Sequence, residues 1–249
     1  MARPAAPRPA RPAPLFLPRS LTWFFDLDDT LHDASHAMFG AIDTRMTDFL
    51  QQHLGLERTA ADSLRRRYWL RYGATLVGLL RHHRVDAGRF LEQTHDFDVA
   101  ALLRAERGLP ELGRRLPGRK VLLTNSPADY AGRVLRGIGL HRHIATRYAV
   151  ENMRVHGHYR PKPALSLFRA MRARERLGAR TGPARAVLVD DNVANLKAAR
   201  AAGFATVLVA RRAARGPRRL SGSSWLDARI RSVKQLPALA ARWRAGRPR

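Results

Sequence analysis

Two patterns of apolar residues alternate along the chain. Short apolar runs stop abruptly in polar groups: Leu21–Phe25 meets Asp26, Val121–Leu123 meets Thr124 and Asn125, and 186–189 meets Asp190 and Asp191. Runs of that length bounded by polar turns predict buried strands. Between the first two runs the spacing is helical throughout. Met38, Ile42, Met46, Phe49, Leu50 and Leu54 keep a helical period, with Gly55 as a stop. Leu64, Tyr68, Leu70 and Tyr72 form a second helix ended by Gly73, Leu76–Leu80 opens a third, and Phe90, Leu91, Val99, Leu102 and Leu103 extend the pattern. So long a stretch is not a loop and predicts a small helical domain. Beyond it the chain predicts strand 119–123, helix 128–137, a short strand near 144–150, helix 164–177, strand 186–189, helix 193–202, strand 205–209, a short segment at 228–233 and helix 235–243. Strand–helix alternation predicts an α/β fold, a Rossmann-like, doubly wound parallel sheet with helices on both faces. The predicted division is a disordered Pro/Ala/Arg-rich tail over 1–19, a sheet core over 20–30 and 117–243, and the helical insertion over 31–116.

Composition narrows the chemistry. A chain of 249 residues is long enough for a substantial core. The absence of cysteine excludes disulfides, thiolate metal sites and a cysteine nucleophile, and fits a reducing, cytoplasmic setting. No apolar run approaches the roughly 20 residues of a membrane span, so no membrane partner is expected. The N-terminal tract has no continuous apolar signal core. The formal charge of +26 comes from 46 Lys and Arg against 20 Asp and Glu, and nearly all of the basic residues are Arg. Arginines cluster at 65–67, 211–219 and 242–249 but are otherwise scattered, and no helix-turn-helix, zinc-finger or RNA-binding pattern accompanies them. Two readings stand: codon bias toward GC, and steering of an anionic substrate such as a phosphate ester. No specific nucleic-acid partner is expected.

The polar ends of the strands carry the candidate chemistry. In F-D-L-D-D-T, Asp26 and Asp28 are two apart, a spacing that in extended backbone points both carboxylates the same way. Like charges that close need a cation or a proton. An Asx-type turn is the alternative. An EF-hand is excluded, because its glycine and glutamate positions fall on Leu31 and Ala37. K-V-L-L-T-N-S places Thr124 and Asn125 at a second strand end, and A-V-L-V-D-D-N places Asp190 and Asp191 at a third. In R-P-K-P, Pro161 and Pro163 stiffen the backbone around Lys162, so that its ammonium can be positioned. The C-terminal edge of a parallel sheet is where such folds place their chemistry.

The order D-x-D-x-T, strand-T-N, Lys, strand-D-D resembles the four signature motifs of the haloacid dehalogenase (HAD) superfamily. The resemblance implies that Asp26 is a nucleophile giving an aspartyl-phosphate and that Asp28 is the general acid and base. It implies that Thr124 and the backbone N–H of Asn125 bind phosphoryl oxygens, and that Lys162 neutralises charge on nucleophile and phosphate. It further implies Mg²⁺ held by Asp26, the backbone carbonyl of Asp28 and a carboxylate of the last pair, with Asp191 as the direct ligand and Asp190 in support. Superfamily dehalogenases lack an acid at the Asp28 position, which argues for phosphatase activity. The helical insertion corresponds to a mobile cap that closes over the site.

W-F-F-D-L-D-D-T-L-H, the Y-G-A-T-L-V-G-L segment beginning at Tyr72, and E-N-M-R-V-H-G-H-Y-R-P-K-P resemble the pyrimidine 5′-nucleotidase branch. Tyr72 then either stacks on a base or packs in a core, and Arg160 either contacts substrate or is solvated. Gly73 and Gly78 either serve the site or let helices approach. His156 and His158 read as loop residues before they read as a metal pair. The expected activity is Mg²⁺-dependent hydrolysis of a pyrimidine nucleoside 5′-monophosphate, with a sugar phosphate or another small phosphorylated metabolite as alternative. Nucleic-acid binding on a degenerate hydrolase scaffold is the distant third.

Overall fold

A computed structural model describes residues 21–178, 186–211 and 225–245. The chain enters through β1 (Thr22–Phe25) and then runs through α1 (Met38–Leu54), α2 (Arg58–Tyr72), α3 (Thr75–His82), α4 (Ala87–His95), α5 (Val99–Leu102) and α6 (Leu109–Arg115). It returns as β2 (Arg119–Leu123), α7 (Ala128–Gly137) and β3 (Thr146–Tyr148), and makes a small hairpin of β4 (Arg154–Val155) and β5 (His158–Tyr159). Helix α8 (Leu165–Arg174), β6 (Ala186–Asp190), α9 (Val193–Ala201), β7 (Ala205–Val209), β8 (Ala228–Ile230) and α10 (Leu236–Arg244) follow. The expected tail over 1–19 and most of the 211–219 arginine cluster lie outside the described residues.

Six strands pair in the order β3-β2-β1-β6-β7-β8, every pairing parallel. Strands buried on both faces read as unbroken apolar runs, and here neighbouring residues feed opposite layers. Trp23 and Phe25 join Tyr130, Val134, Leu236 and Trp243 on one face, while Phe24 joins Phe168, Leu196 and Phe204 on the other. The chain leaves β1 for β2 on one side and later pairs β6 on the other, so the strand order switches at β1. A crevice opens at the C-terminal ends of strands at such a switch, and Asp26 follows β1 there.

The helices after β1 hold a third cluster of their own, including Phe49, Leu50, Leu64, Tyr68, Leu79 and Phe90. Gly55 and Gly73 close α1 and α2 in the left-handed conformation, with φ of 64° and 78°. At Gly78 a Cβ would come within 2.2 Å of the Tyr68 ring, so α3 lies flush on α2 because that position is glycine. Within the 31–116 stretch some side chains pack toward the sheet, Leu31, Met38 and Ile42 at its start among them. Phe97, Val99, Leu109, Leu112 and Leu116 pack into the sheet-side cluster, so by their contacts α5 and α6 belong to the layer against the sheet. Among the described residues no helix is long and apolar enough to cross a membrane.

Candidate active site

Three strand ends and one loop converge at the switch point. Asp26 extends β1, its N–H donating to Val189 O on β6 at 3.0 Å. Asp190 ends β6 and is fully buried. Lys162, 2 % exposed, donates from Nζ to Asp26 Oδ1 at 2.7 Å and to Asp190 Oδ2 at 2.9 Å. The Lys162 backbone is clamped by Asn125, whose Nδ2 donates to Lys162 O and whose Oδ1 accepts from Lys162 N–H, both at 3.0 Å. Buried Thr124 accepts the Ser126 N–H at 3.1 Å through Oγ1, which leaves its own hydroxyl proton to donate.

The two acids of the last pair differ in what they have left to offer. Asp190 accepts from Lys162, from the Asn192 N–H at 2.8 Å and from Asn195 Nδ2 at 3.0 Å, so its lone pairs are engaged. Asp191 makes no ion pair or side-chain hydrogen bond of this kind among the described residues, and burial together with the Asp190 charge pushes its carboxyl up to about 7. Burial also drives Asp26 well above the usual carboxylate range, the pull of Lys162 being opposed by Asp190 and Asp191. Lys162 is raised in turn, because the charges of Asp190 and Asp26 outweigh the cost of its burial. Oxygens of Asp26, Asp190 and Asp191 come within 4.8 Å of one another, a crowding of acids that one lysine leaves incompletely neutralised. A hard divalent cation suits such an all-oxygen set.

Asp28 has a different environment. Its Oδ1 accepts from Tyr130 Oη at 2.8 Å and meets His32 Nε2 at 2.9 Å, and its Oδ2 accepts from Ser126 Oγ at 2.6 Å. Burial raises this carboxyl, but the hydrogen bonds and charge from His32, Ser126 and Tyr130 win and hold it below its ordinary value. None of the three donors was anticipated from the sequence. His32 stands four residues past Asp28 and was the one visible signal, whereas Ser126 and Tyr130 are brought in from the far side of β2.

A cavity of about 590 Å³ between the helical insertion and the strand ends joins these groups. Asp26, Asp28, Thr124, Asn125, Lys162 and Asp191 all line it, so the expected catalytic, phosphate and metal residues meet in one place. Tyr72 and Arg160 do not line it and face a neighbouring cavity instead. The Tyr72 ring is half-buried and its hydroxyl meets His82 Nε2 at 2.6 Å. His156 and His158 lie in the β4–β5 hairpin and its turn, and the acidic trio is the one group of three or more candidate metal ligands among the described residues.

A family model described as haloacid dehalogenase-like hydrolase matches residues 22–203. Phosphate metabolism protein 8 of Saccharomyces cerevisiae is 23 % identical over 203 residues, which covers 77 % of this chain and 62 % of that protein. The chain thus spans less than two-thirds of that curated relative. Among solved structures, a HAD phosphatase from Thermococcus onnurineus superposes with a TM-score of 0.59 at 19 % identity, covering 92 % of this chain and all of that one. The HAD-hydrolase YfnB from Bacillus subtilis, bound to magnesium, gives 0.55 at 16 % identity over 89 % of this chain and 99 % of its own. L-2-haloacid dehalogenase from Xanthobacter autotrophicus, with chloropropionic acid covalently bound, gives 0.53 at 17 % over 89 % and 98 %. At these identities the likeness is one of fold, and that fold carries both phosphatases and dehalogenases.

Proposed function

This chain belongs to the haloacid dehalogenase-like hydrolase family, and from that premise we propose that it is a Mg²⁺-dependent phosphatase of small phosphate monoesters, with pyrimidine nucleoside 5′-monophosphates as the preferred substrates. The carrying observation is Lys162 bonded at once to Asp26 and Asp190, with Asp28 in the same cavity and held by three donors. An alkoxide leaves poorly without a proton, so a second carboxylate is what phosphate-ester cleavage needs and halide displacement does not. The sequence likeness to the pyrimidine nucleotidase branch supports the substrate. The name of the yeast relative, which concerns phosphate metabolism, supports the phosphate chemistry more broadly.

In this reading an Asp26 oxygen attacks phosphorus, the P–O bond to the leaving group breaks, and an aspartyl-phosphate forms. Asp28 delivers its proton to the departing alkoxide. An arriving phosphate dianion adds negative charge beside Asp28 and raises its proton affinity, which suits that role. Asp28, now a carboxylate, then takes a proton from the water that attacks the aspartyl-phosphate, releasing inorganic phosphate and restoring Asp26. The Thr124 hydroxyl and the Asn125 N–H hold phosphoryl oxygens, and the Asn125 side chain keeps Lys162 in register. Mg²⁺ would be held by Asp26, the Asp28 carbonyl and Asp191, with Asp190 in support, and would supply positive charge to offset that of the phosphoryl oxygens. A cytoplasmic setting belongs to the same reading.

The test is phosphate release in Mg²⁺ from a panel of nucleotides and sugar phosphates. Asp26→Asn should lower kcat by at least ~10³-fold. Wild-type turnover no better than the variant across the panel would sink the assignment. A kcat/KM higher for sugar phosphates than for UMP and CMP would move the substrate to the second class.

A further inference from the structure

Beside the carboxylate cavity lies a larger one of about 910 Å³, and Trp69, Gly73, Asn125, Lys162 and Asn195 form walls common to both. We propose that this outer cavity is a second anion subsite, selecting phosphate esters whose leaving group carries another phosphate or carboxylate. The proposal rests on the phosphatase reading for what happens at Asp26, but its recognition chemistry is separate.

The argument starts from charge. Arg71, Arg81 and Arg160 line the outer cavity together with Lys162, and among the described residues no Asp or Glu does. The inner cavity has the opposite make-up, with Asp26, Asp28, Asp43 and Asp191 on its walls. Its two arginines are committed to acids: Arg65 to Asp43 at 2.5 Å and to Asp62 at 2.7 Å, and Arg66 to Asp62 at 2.9 Å. Arg71, Arg81 and Arg160 have no such carboxylate partner among the described residues. In a chain this rich in arginine, exposed guanidiniums are ordinary. Three of them around one acid-free concavity that opens onto the catalytic lysine are not.

The cluster is also built. Arg71 lies in the last turn of α2 and Arg81 in α3, yet both guanidiniums sit 5.5 Å from the centroid of the same Tyr72 ring. The ring is fixed by its hydroxyl contact with His82. Cation–ring attraction holds the two cations in place but does not neutralise them, and an anion in the cavity they line would. Guanidinium forks suit phosphate and carboxylate, which accept two hydrogen bonds side by side. Arg160 approaches from the core, next to Pro161 and Lys162, so cap and core each contribute cations. A ligand with one anion at Lys162 and another at Tyr72 would bridge them. This gives Tyr72 and Arg160 a role in substrate choice without placing either at the reacting phosphate.

The experiment compares kcat/KM for uridine 5′-monophosphate and uridine 3′,5′-bisphosphate, scoring loss of the 5′-phosphate, and repeats it with a hexose 6-phosphate and the matching 1,6-bisphosphate. The doubly phosphorylated member of the better pair should be favoured by roughly tenfold or more. Arg71→Ala, Arg81→Ala and Arg160→Ala should each shrink that ratio toward one. Arg142→Ala, an exposed arginine that lines neither cavity, should leave the ratio as it is. Equal rates within both pairs, or a fall in the ratio as large in Arg142→Ala as in the three cavity variants, overturns the subsite. Binding of the same ligands to Asp26→Asn separates the two readings. If no ester is hydrolysed by the wild type but the bisphosphate still binds more tightly in an Arg81-dependent way, the phosphatase reading fails and the subsite stands.

Discussion

Among the described residues Lys162 is the one cation inside the carboxylate cluster, and its removal should be felt in folding as well as in catalysis. Lys162→Met keeps most of the side-chain volume but leaves Asp26 and Asp190 buried without their shared partner. Breaking a buried pair from one side costs about 3–5 kcal/mol. Urea denaturation near neutral pH should show a loss of that size together with loss of turnover, and a loss below about 1 kcal/mol would mean that the lysine is not what stabilises the acids. His95 makes a second prediction at this scale, with a sign that follows from burial. Desolvation, opposed by a hydrogen bond from its ring to Leu91 O and by the Asp28 charge, and abetted by Arg133, lowers His95 from 6.5 to about 4. Its folded state therefore prefers the neutral ring. The stability it contributes is fully present above about pH 6.5 and is lost as the pH falls toward 4, a change of about 3 kcal/mol. Thermal melts across that range should fall steeply for the wild type and less steeply for His95→Gln. Equal slopes would show that the histidine is not buried neutral.

Gly73 and Gly78 sit five residues apart around the α2–α3 corner, and their substitution should fail in different ways. Gly73 has φ of 78°, and a Cβ there would meet Lys162 O at 3.0 Å and Pro163 Cδ at 3.2 Å. It is the point where the helical insertion rests on the lysine loop. Gly73→Ala should cost about 1 kcal/mol from the left-handed backbone and should lower kcat/KM more than that suggests, since the displaced atoms belong to the Lys162 backbone. At Gly78 the atoms nearest to a Cβ all belong to Tyr68, within the insertion. Gly78→Ala should destabilise by about 1–3 kcal/mol through overpacking, with kcat/KM changed less per unit of stability lost. Parallel denaturation and kinetics on both variants decide this, and the idea is wrong if their ratios match. The ends of α1 and α2 at Gly55 and Gly73 were legible from sequence because glycine is the residue that adopts the left-handed cap. The β4–β5 hairpin was not, since two residues per strand carry no period. Nor were the donors to Asp28. Ser126 and Tyr130 lie about a hundred residues from it, and only the parallel pairing of β1 with β2 brings them across.

At the scale of the whole molecule, the parallel sheet and the meeting of four separated segments were readable because β1, β2 and β6 are apolar runs that stop in polar groups. The meaning of the +26 charge was not readable, because composition does not say where unpaired cations gather. Self-repulsion from such a charge disfavours the compact state, while the same field draws in anionic substrates. Salt weakens both, since the Debye length shortens from about 20 Å at low salt to below 10 Å at physiological strength. Raising NaCl from about 20 to about 300 mM should therefore raise the melting temperature while lowering kcat/KM for a phosphate dianion, two responses of opposite benefit from one cause. A chain whose arginines were all paired would show neither. A nucleic-acid-binding protein on this scaffold would differ again: its DNA affinity would fall steeply with salt and would be untouched by Asp26→Asn. Measuring melting, turnover and DNA retention over one salt series separates the three. The phosphatase reading requires the turnover response to persist in the presence of saturating Mg²⁺, because the field that steers the substrate comes from arginines spread over the surface and not from the acidic trio.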